Sequence, residues 1–333
     1  MGISKGDTMD RFAIIIPYFG KFRPSINLFL ESCRRNPQID WLFYTDCPWP
    51  TQEPIPANIQ WRTTTLEATK ELAERKLQVS INLERPYKLC DLRPLFGKVY
   101  EDDIREYSWW GYGDTDVING DIRGFLDKID YCQWDKINCW GHLTLVRNNH
   151  ECNEAYRTEV PGTMNWMDIL TTENNVGFDE HDFNPKFLAS GKKIYEGLWS
   201  ADIDIFYKRM RCVDIKTVRC FCKVKIPRFA PKNYAYQLFA TVDGKTYRFH
   251  LGTDGKVHKE EFAYIHFREE APINLSSLKE DTFIISRHGF YPVEDRDSLC
   301  DPAKFKALVG TMNLQERWPK ETARFIFHLL RNL

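Results

Sequence analysis

The 333-residue chain has no long hydrophobic run and no excess of charge of one sign. A membrane-spanning helix needs about 18 or more consecutive apolar residues, whereas the apolar stretch 13–16 ends at Pro17. That stretch is also too short for a secretory signal. The 46 Lys and Arg residues are balanced by 47 Asp and Glu residues, giving a net charge of −1, while general nucleic-acid binding needs a basic surface. We therefore expect neither a membrane span nor a nucleic-acid partner.

Several common site signatures are also missing. The sequence contains no G-x-x-x-x-G-K-[ST] phosphate loop and no H-E-x-x-H metal motif. Of its ten cysteines, only Cys212, Cys220 and Cys222 form a close group of three in sequence, and their C-x7-C-x-C spacing does not suit zinc. In a chain of this size without a signal sequence, reduced and mostly buried thiols are expected. We therefore predict a cytoplasmic protein.

What the sequence does contain is an alternation of strand and helix patterns in its first part. Strands are predicted over 11–18, 41–45 and 107–112, and helices over 24–35 and 65–79. Thr64 or Thr65 is the expected N-cap of the second helix. The βαβαβ order predicts an α/β layer with a mostly parallel sheet flanked by helices.

The last third of the chain is predicted to be rich in strands. The turn signals Asp243-Gly244 and Asp254-Gly255 separate alternating stretches and predict a hairpin or small antiparallel ribbon. Further strands are expected over 261–267 and 282–286, and a final helix over 321–333. We divide the chain into a core, residues 10–230, and a β-rich C-terminal elaboration, residues 231–333, packed on the same domain.

The strongest sign of chemistry is a D-x-D pair, Asp114 and Asp116, that directly follows an aromatic strand. Residues two apart on an extended segment point to the same side, and open α/β sheets bind ligands at the carboxyl ends of their strands. Two carboxylates there can hold Mg²⁺ or Mn²⁺, which can neutralise a diphosphate leaving group. The alternative is a solvated loop, since D-x-D sequences are common.

A second charged group lies just upstream, in 88–94 (KLCDLRP). Lys88 and Arg93 are cations that can grip phosphates, and Asp91 can accept a hydrogen bond from a ribose or sugar hydroxyl. The alternative is a solvated helix start with an internal ion pair.

A third group follows a glycine, in 177–183 (GFDEHDF). Asp179 and Glu180 are candidates for the general base that takes a proton from an acceptor hydroxyl in an inverting transfer. If the reaction retains configuration, no such base is required and both residues would bind the acceptor. Acidic residues at a helix N-terminus are also ordinary dipole partners.

Four segments, taken in order, resemble a family of bacterial surface-polysaccharide glycosyltransferases of the GT-A type. They are 15–22 (IIPYFGKF), 42–46 (LFYTD), 87–97 (YKLCDLRPLFG) and 110–116 (WGYGDTD). The Lys-Asp-Arg block is similar to the S-D-x-x-R block of D-x-D-containing sugar transferases. The resemblance extends over residues 12–180 and implies a GT-A-like, Rossmann-like core. It further implies transfer of a sugar from a nucleotide diphosphate donor, most simply a UDP-sugar, to a glycan or lipid-linked glycan during capsule or lipopolysaccharide biosynthesis.

The resemblance also implies roles for individual residues. One group would bind the donor: Pro17, Tyr18, Phe19 and Asp46 around the nucleoside, and Lys88, Asp91, Arg93 and Asp114 around the ribose, sugar or phosphates. A second group would hold Mn²⁺ or Mg²⁺, namely Asp114, Asp116 as the direct ligand, and a late histidine. That histidine is His266 in 264–267 (YIHF), with His288 as the alternative.

Other features concern the acceptor and the membrane. Aromatic rings stack on sugars, so Trp140 to His142 and Trp199 near Asp202 are the expected acceptor-side surfaces. The predicted helix 321–333 carries basic residues opposite its apolar face, which suits either an anionic membrane surface or simple packing on the domain. A peripheral position at the inner face of the membrane is therefore expected alongside the cytoplasmic one.

Two alternatives to the transferase stay open at the level of sequence. One is a nucleotidyltransferase or metal-dependent phosphohydrolase that uses the same D-x-D pair. The other is a non-catalytic glycan-binding or scaffold protein on a degenerate transferase fold.

Overall fold

The computed structural model describes residues 10–197, 199–204, 210–213, 232–268, 281–286 and 289–315. Its strands are β1 (Phe12–Tyr18), β2 (Ile39–Thr45), β3 (Ile59–Thr63), β4 (Trp109–Gly113), β5 (Val117–Asn119), β6 (Lys136–Ile137), β7 (Leu143–Arg147), β8 (Ile194–Tyr195), β9 (Ser200–Asp202), β10 (Gln237–Val242), β11 (Lys245–Leu251), β12 (Val257–Phe262), β13 (Tyr264–His266), β14 (Phe283–Ser286) and β15 (Gly289–Pro292). Its helices are α1 (Ile26–Arg34), α2 (Leu66–Leu77), α3 (Leu89–Leu92), α4 (Phe96–Val99), α5 (Ile122–Lys128), α6 (His150–Asn153), α7 (Trp166–Thr171), α8 (Phe183–Ala189) and α9 (Pro302–Gln315).

A seven-stranded sheet with the order β3-β2-β1-β4-β7-β6-β8 forms the centre of the molecule. The pairs β1–β2, β1–β4, β2–β3 and β6–β8 are parallel, whereas β7 runs antiparallel to both β4 and β6. The α/β class is therefore confirmed, but the sheet is mixed. The physical reason is that the short loop 138–142 joins β6 to β7 directly, and a short loop can only join antiparallel neighbours.

The central strands are buried on both faces, which explains their nearly continuous apolar sequence. Along β1, Ala13 and Ile15 face one hydrophobic layer, while Phe12, Ile14 and Ile16 face the other. Helix α2 packs on the first layer and α1 on the second. The sheet thus carries helices on both sides.

The strands and helices predicted for the first part are all present, and the structure adds β3, α3 and α4. The Thr65 hydroxyl caps α2 by accepting a hydrogen bond from the N–H of Ala68, at 3.1 Å. Strand β3 was not predicted, because its sequence IQWRT is half-buried and lies at the sheet edge, without an apolar run.

The C-terminal part is β-rich, as predicted. Strands β12-β11-β10-β14-β15 form an antiparallel sheet, and α9 covers one of its faces through Phe305 and Val309. The β10–β11 hairpin turns at Asp243-Gly244, whose φ angles of 51° and 77° are those that an Asp-Gly turn supplies.

A third, small sheet with the order β5-β13-β9 joins the two parts of the molecule. The predicted strand 261–267 is in fact divided between β12 and β13. The division falls at Ala263, whose N–H donates to the carbonyl of Trp199, at 2.7 Å, and not to a strand of the antiparallel C-terminal sheet. Strand β13 therefore continues beside β5, which follows the D-x-D pair. The predicted helix 321–333, His288, Cys220 and Cys222 lie outside the described residues.

None of the helices in the described part of the chain has the length and apolar character that a membrane span requires.

A candidate metal and donor site at the end of strand β4

Three short strands bring chemically active side chains to the carboxyl end of β4. Asp114 and Asp116 lie between β4 and β5, and β5 pairs with β13 so that Val117 stands opposite His266. On its other edge, β13 pairs with β9, which sets His266 opposite Asp202. The N–H of Phe267 also donates to the carbonyl of Asp116, at 3.1 Å.

The structure brings together the three residues that were expected to hold a metal. Ligand atoms of Asp114, Asp116 and His266 all lie within 4.8 Å of one another, and 3.4 Å separates His266 Nε2 from Asp116 Oδ1. Two carboxylates and an imidazole are a donor set that fits Mn²⁺ and also Mg²⁺. A second group of close ligand atoms, His142, Asp202 and His266, shares the same histidine.

The electric field in this cluster favours positive charge. Burial lowers the pKa of His266, but the carboxylates of Asp116 and Asp202 outweigh burial and raise it to about 10. Burial raises the pKa of Asp116, but His266 and the more distant Arg23 outweigh burial and lower it to about 2. Arg23 was not singled out in the sequence; the available signal was its place in the loop that follows β1.

Arg93 connects the D-x-D pair to the acidic segment after Gly177. One guanidinium nitrogen donates to Asp114, and another donates to Asp179 Oδ2 at 2.8 Å and to the carbonyl of Gly141 at 3.2 Å. Burial raises the pKa of Asp179 to about 7, against the opposing effect of Arg93. Glu180 accepts a hydrogen bond from the N–H of Gly141, at 2.9 Å. The backbone at Gly141 is thus surrounded by the ionisable side chains of Arg93, Asp179 and Glu180, which meet Asp114 through Arg93.

Gly141 is required for this meeting. A Cβ at position 141 would lie 2.6 Å from Asp179 Oδ2 and 2.7 Å from Arg93 Nη1, closer than real Cβ contacts. The absence of a side chain therefore lets the backbone approach the ion pair.

Lys88 and Asp91 are not brought to the open part of the site. Both side chains are buried and form an ion pair of 2.8 Å. Lys88 Nζ also donates to the carbonyl of Ile169 in α7 and to that of Asn174 in the loop that precedes Asp179. The Asp91 carboxylate accepts from the N–H groups of Val176 and Phe178 in the same loop. The pair therefore holds this loop in place. An internal ion pair was the alternative expected from sequence, but it was expected to be solvated, whereas this pair is buried. Their contact with a donor stays a prediction.

The residues expected around the nucleoside lie at the carboxyl ends of β1 and β2. Asp46 is exposed and accepts a hydrogen bond from the N–H of Gly20, at 2.9 Å. Pro17 and Tyr18 are half-buried beside it, and the Tyr18 ring stacks on Phe22 at a centroid distance of 4.6 Å. The Phe19 side chain is instead buried in the core.

The expectation that Trp199 forms an acceptor surface is wrong. Its side chain is 1% exposed and packs edge-to-face on Tyr264 in the core, with a centroid distance of 5.6 Å. Trp140 is half-buried and lies parallel to the His142 ring, at 6.1 Å. Among the acceptor-side aromatics expected from sequence, Trp140 therefore keeps an accessible face.

Comparison with known proteins places the chain in a family without assigning an activity. Residues 14–294 match the model of a family of unknown function (DUF6625), and the chain belongs to this family. No curated protein matches the chain.

Proposed function

We propose that the chain is a metal-dependent glycosyltransferase of the GT-A type, which transfers a sugar from a nucleotide diphosphate donor to a glycan acceptor. The observation that carries the proposal is the convergence of Asp114, Asp116 and His266 at the end of β4. The parallel strand order β3-β2-β1-β4 supports it, since open α/β sheets bind nucleotides at this edge. A cytoplasmic location and a role in surface-polysaccharide assembly belong to the same proposal.

The chain's own residues divide the work of such a transfer. Asp114, Asp116 and His266 would hold Mn²⁺ or Mg²⁺, which when bound stabilises negative charge on the departing diphosphate. Tyr18 and Asp46 would orient the nucleoside. The positive charge of Arg23, on the rim near Asp116, would attract the diphosphate.

The acceptor side is formed by the segment around Gly141. Asp179 would take the proton from the acceptor hydroxyl, because a pKa of about 7 lets a carboxylate exchange a proton near neutral pH. Arg93 holds Asp179 in place through the 2.8 Å hydrogen bond. The face of Trp140 would support a sugar ring, and Glu180 lies beside it through its bond to Gly141.

Calorimetric titration tests the proposal. UDP and GDP are each titrated with and without Mn²⁺ into the wild type, into Asp116→Ala and into Asp127→Ala, which removes an exposed carboxylate from α5. We expect one nucleotide to bind only with Mn²⁺, Asp116→Ala to lose this binding and Asp127→Ala to keep it. Binding that ignores both the metal and Asp116 would contradict the metal site.

A second measurement separates the transferase from its alternatives. The UDP-sugar or GDP-sugar of the nucleotide that binds is incubated with the protein and Mn²⁺, and release of free nucleotide is followed. Slow release with transfer to water or to an added glycan supports the proposal. Binding without any turnover would favour the glycan-binding scaffold, and release of pyrophosphate from a nucleoside triphosphate would favour the nucleotidyltransferase.

A further inference from the structure

His266 stands between two carboxylates, each facing a different ring nitrogen. Its Nε2 lies 3.4 Å from Asp116 Oδ1, and its Nδ1 forms a 2.9 Å hydrogen bond with Asp202 Oδ1. The two nitrogens of an imidazole are chemically distinct, and the bond made by one decides what the other can do. With a proton held on Nδ1, Nε2 is the nitrogen that can give up its proton and offer a lone pair on the D-x-D side.

Asp202 also pairs with Arg268 through both of its carboxylate oxygens. The guanidinium donates from Nε to Asp202 Oδ1 at 2.7 Å and from Nη2 to Oδ2. Oδ1 therefore accepts two hydrogen bonds and Oδ2 accepts a third. A carboxylate bound in this two-point fashion stays ionised, and three of its roughly four acceptor sites are occupied.

The backbone of Arg268 is held in an unusual conformation to make this pair. Its φ angle is +52°, in the left-handed region that residues with a side chain rarely adopt. Strain of this kind persists only where the surroundings impose it. The pair with Asp202 is one interaction that offsets the cost.

A second set of contacts fixes the plane of the His266 ring. His142 stacks on it at a centroid distance of 4.6 Å, and His142 Nδ1 lies 2.7 Å from the hydroxyl of Tyr264. That hydroxyl also accepts a 2.8 Å hydrogen bond from Asn138, which has a φ of +74°. Ring plane and ring edge are thus fixed by different partners.

We propose that Asp202 is a positioning residue of the metal site: it keeps the proton of His266 on Nδ1 and so directs Nε2 toward Asp114 and Asp116. Arg268 keeps Asp202 in this role and out of the coordination shell. The arrangement is the carboxylate–histidine–metal relay, in which the outer carboxylate orients the ligand. The inference rests on the proposed function for the metal, but the contact between Asp202 and His266 does not.

The test compares Asp202→Asn with Asp204→Asn. Asp204 lies two residues further along the chain and also accepts two hydrogen bonds from one arginine. Arg211 donates to Asp204 Oδ2 from Nε at 2.9 Å and from Nη2 at 2.7 Å. It belongs to neither group of close ligand atoms described above. Both substitutions conserve volume, so the difference between them isolates the contact with His266.

Two readouts are taken from each variant. Mn²⁺ affinity is measured by electron paramagnetic resonance in the presence of UDP or GDP, whichever binds, and we expect Asp202→Asn to weaken it about 10- to 100-fold. The ring nitrogens of His266 are observed by NMR in metal-free protein with ¹⁵N-labelled histidine, assigned with His266→Gln. We expect Asp202→Asn to abolish the downfield Nδ1 proton signal and Asp204→Asn to leave both readouts unchanged.

Several outcomes would overturn the proposal. One is an Asp202→Asn variant with unchanged His266 signals and an affinity within twofold of wild type. Another is a loss as complete as that of Asp116→Asn, which would make Asp202 a ligand. If wild type binds no Mn²⁺ at all, the proposed function fails, and the NMR signals alone decide whether Asp202 fixes His266. The Asp202→Glu variant covers a failure of Asp202→Asn to fold, and we expect it to retain the Nδ1 proton.

Discussion

At the scale of single residues, the site depends on one guanidinium that two acidic groups share. Arg93 touches Asp114 on one side and Asp179 on the other, and its side chain is only 13% exposed. A change of charge at one carboxylate therefore alters the hydrogen bonding and the electrostatic environment of the other through Arg93. Experiments on the two carboxylates need separate readouts for binding and for proton transfer.

The first prediction concerns Asp179. We expect Asp179→Asn to lower the transfer rate by about 100-fold or more, the usual contribution of a general base, and to change Mn²⁺-dependent nucleotide binding far less. Only ionised Asp179 can accept a proton, so the wild-type rate should rise with pH through about 7. The pH–rate profile of each protein checks this, with Asp182→Asn as the control from the same segment. A variant that keeps the wild-type profile would remove Asp179 from the chemistry.

The second prediction concerns the buried pair Lys88 and Asp91. Removing one partner leaves an uncompensated buried charge, so we expect Lys88→Met to lower the free energy of unfolding by about 3–5 kcal/mol. The double variant Lys88→Met/Asp91→Leu should recover part of this loss. Urea unfolding measures both. A Lys88→Met protein of wild-type stability that has lost nucleotide binding would instead assign the pair to the donor.

At the scale of elements, β4 carries the D-x-D pair and is tightly confined between its neighbours. A Cβ at Gly111 would lie 2.4 Å from the carbonyl oxygen of Thr144 on β7, a backbone atom that cannot move without breaking the pairing. Asp114 follows three residues later. Packing in the middle of β4 therefore sets the position of the first carboxylate.

The third prediction applies one substitution to two elements. We expect Gly111→Ala to lower the free energy of unfolding by about 1–3 kcal/mol because of overpacking, and to weaken Mn²⁺ binding. Gly310, in α9, has no atom within 4 Å of a built Cβ, so Gly310→Ala should raise stability by up to about 1 kcal/mol through helix propensity. Urea titrations compare the two. Equal effects of either sign would show that the close approach at Gly111 does not control stability.

At the scale of the whole molecule, the small sheet β5-β13-β9 connects the large sheet to the C-terminal ribbon. Ile118, Ala201 and Ile265 from its three strands share a hydrophobic cluster with Phe239 and Phe283 of the ribbon. On the opposite face of the same small sheet, β9 carries Asp202 and β13 carries His266. Ligand binding at the site should therefore stabilise the packing between the large sheet and the C-terminal ribbon.

The fourth prediction follows from this connection. A ligand that binds only the folded protein adds about 2.7 kcal/mol of stability at 100 times its Kd. We expect Mn²⁺ with the bound nucleotide to raise the melting temperature and to slow amide hydrogen exchange in β5, β9 and β13. Asp116→Ala should show neither effect, and strand β3, at the far edge of the large sheet, should be unchanged. Unchanged exchange in β5, β9 and β13 would contradict a site on these strands.

Local signals account for what the sequence predicted well. The apolar run of β1, the N-cap at Thr65 and the Asp243-Gly244 turn each act within a few residues, so a pattern can reveal them. The D-x-D pair is local in the same sense. Its position at the end of β4 followed from the strand pattern alone.

What was missed depends on contacts between distant segments. Asp202 meets His266 only through the register of β9 with β13, which no spacing in the sequence encodes. Arg23 approaches Asp116 because two loops end at the same sheet edge. Trp199 was misjudged because a tryptophan in a core and one in a binding surface look alike in sequence.

The pairing of β5 with β13 also has a consequence for biosynthesis. The two carboxylates at 114 and 116 emerge from the ribosome well before the imidazole at 266, on the order of ten seconds earlier at ordinary rates of synthesis. A nascent chain that stops after β8 and before β13 contains every strand of the central sheet but not the complete ligand set. The proposed metal-dependent activity would therefore require translation through β13, and a fragment released earlier would lack the imidazole ligand.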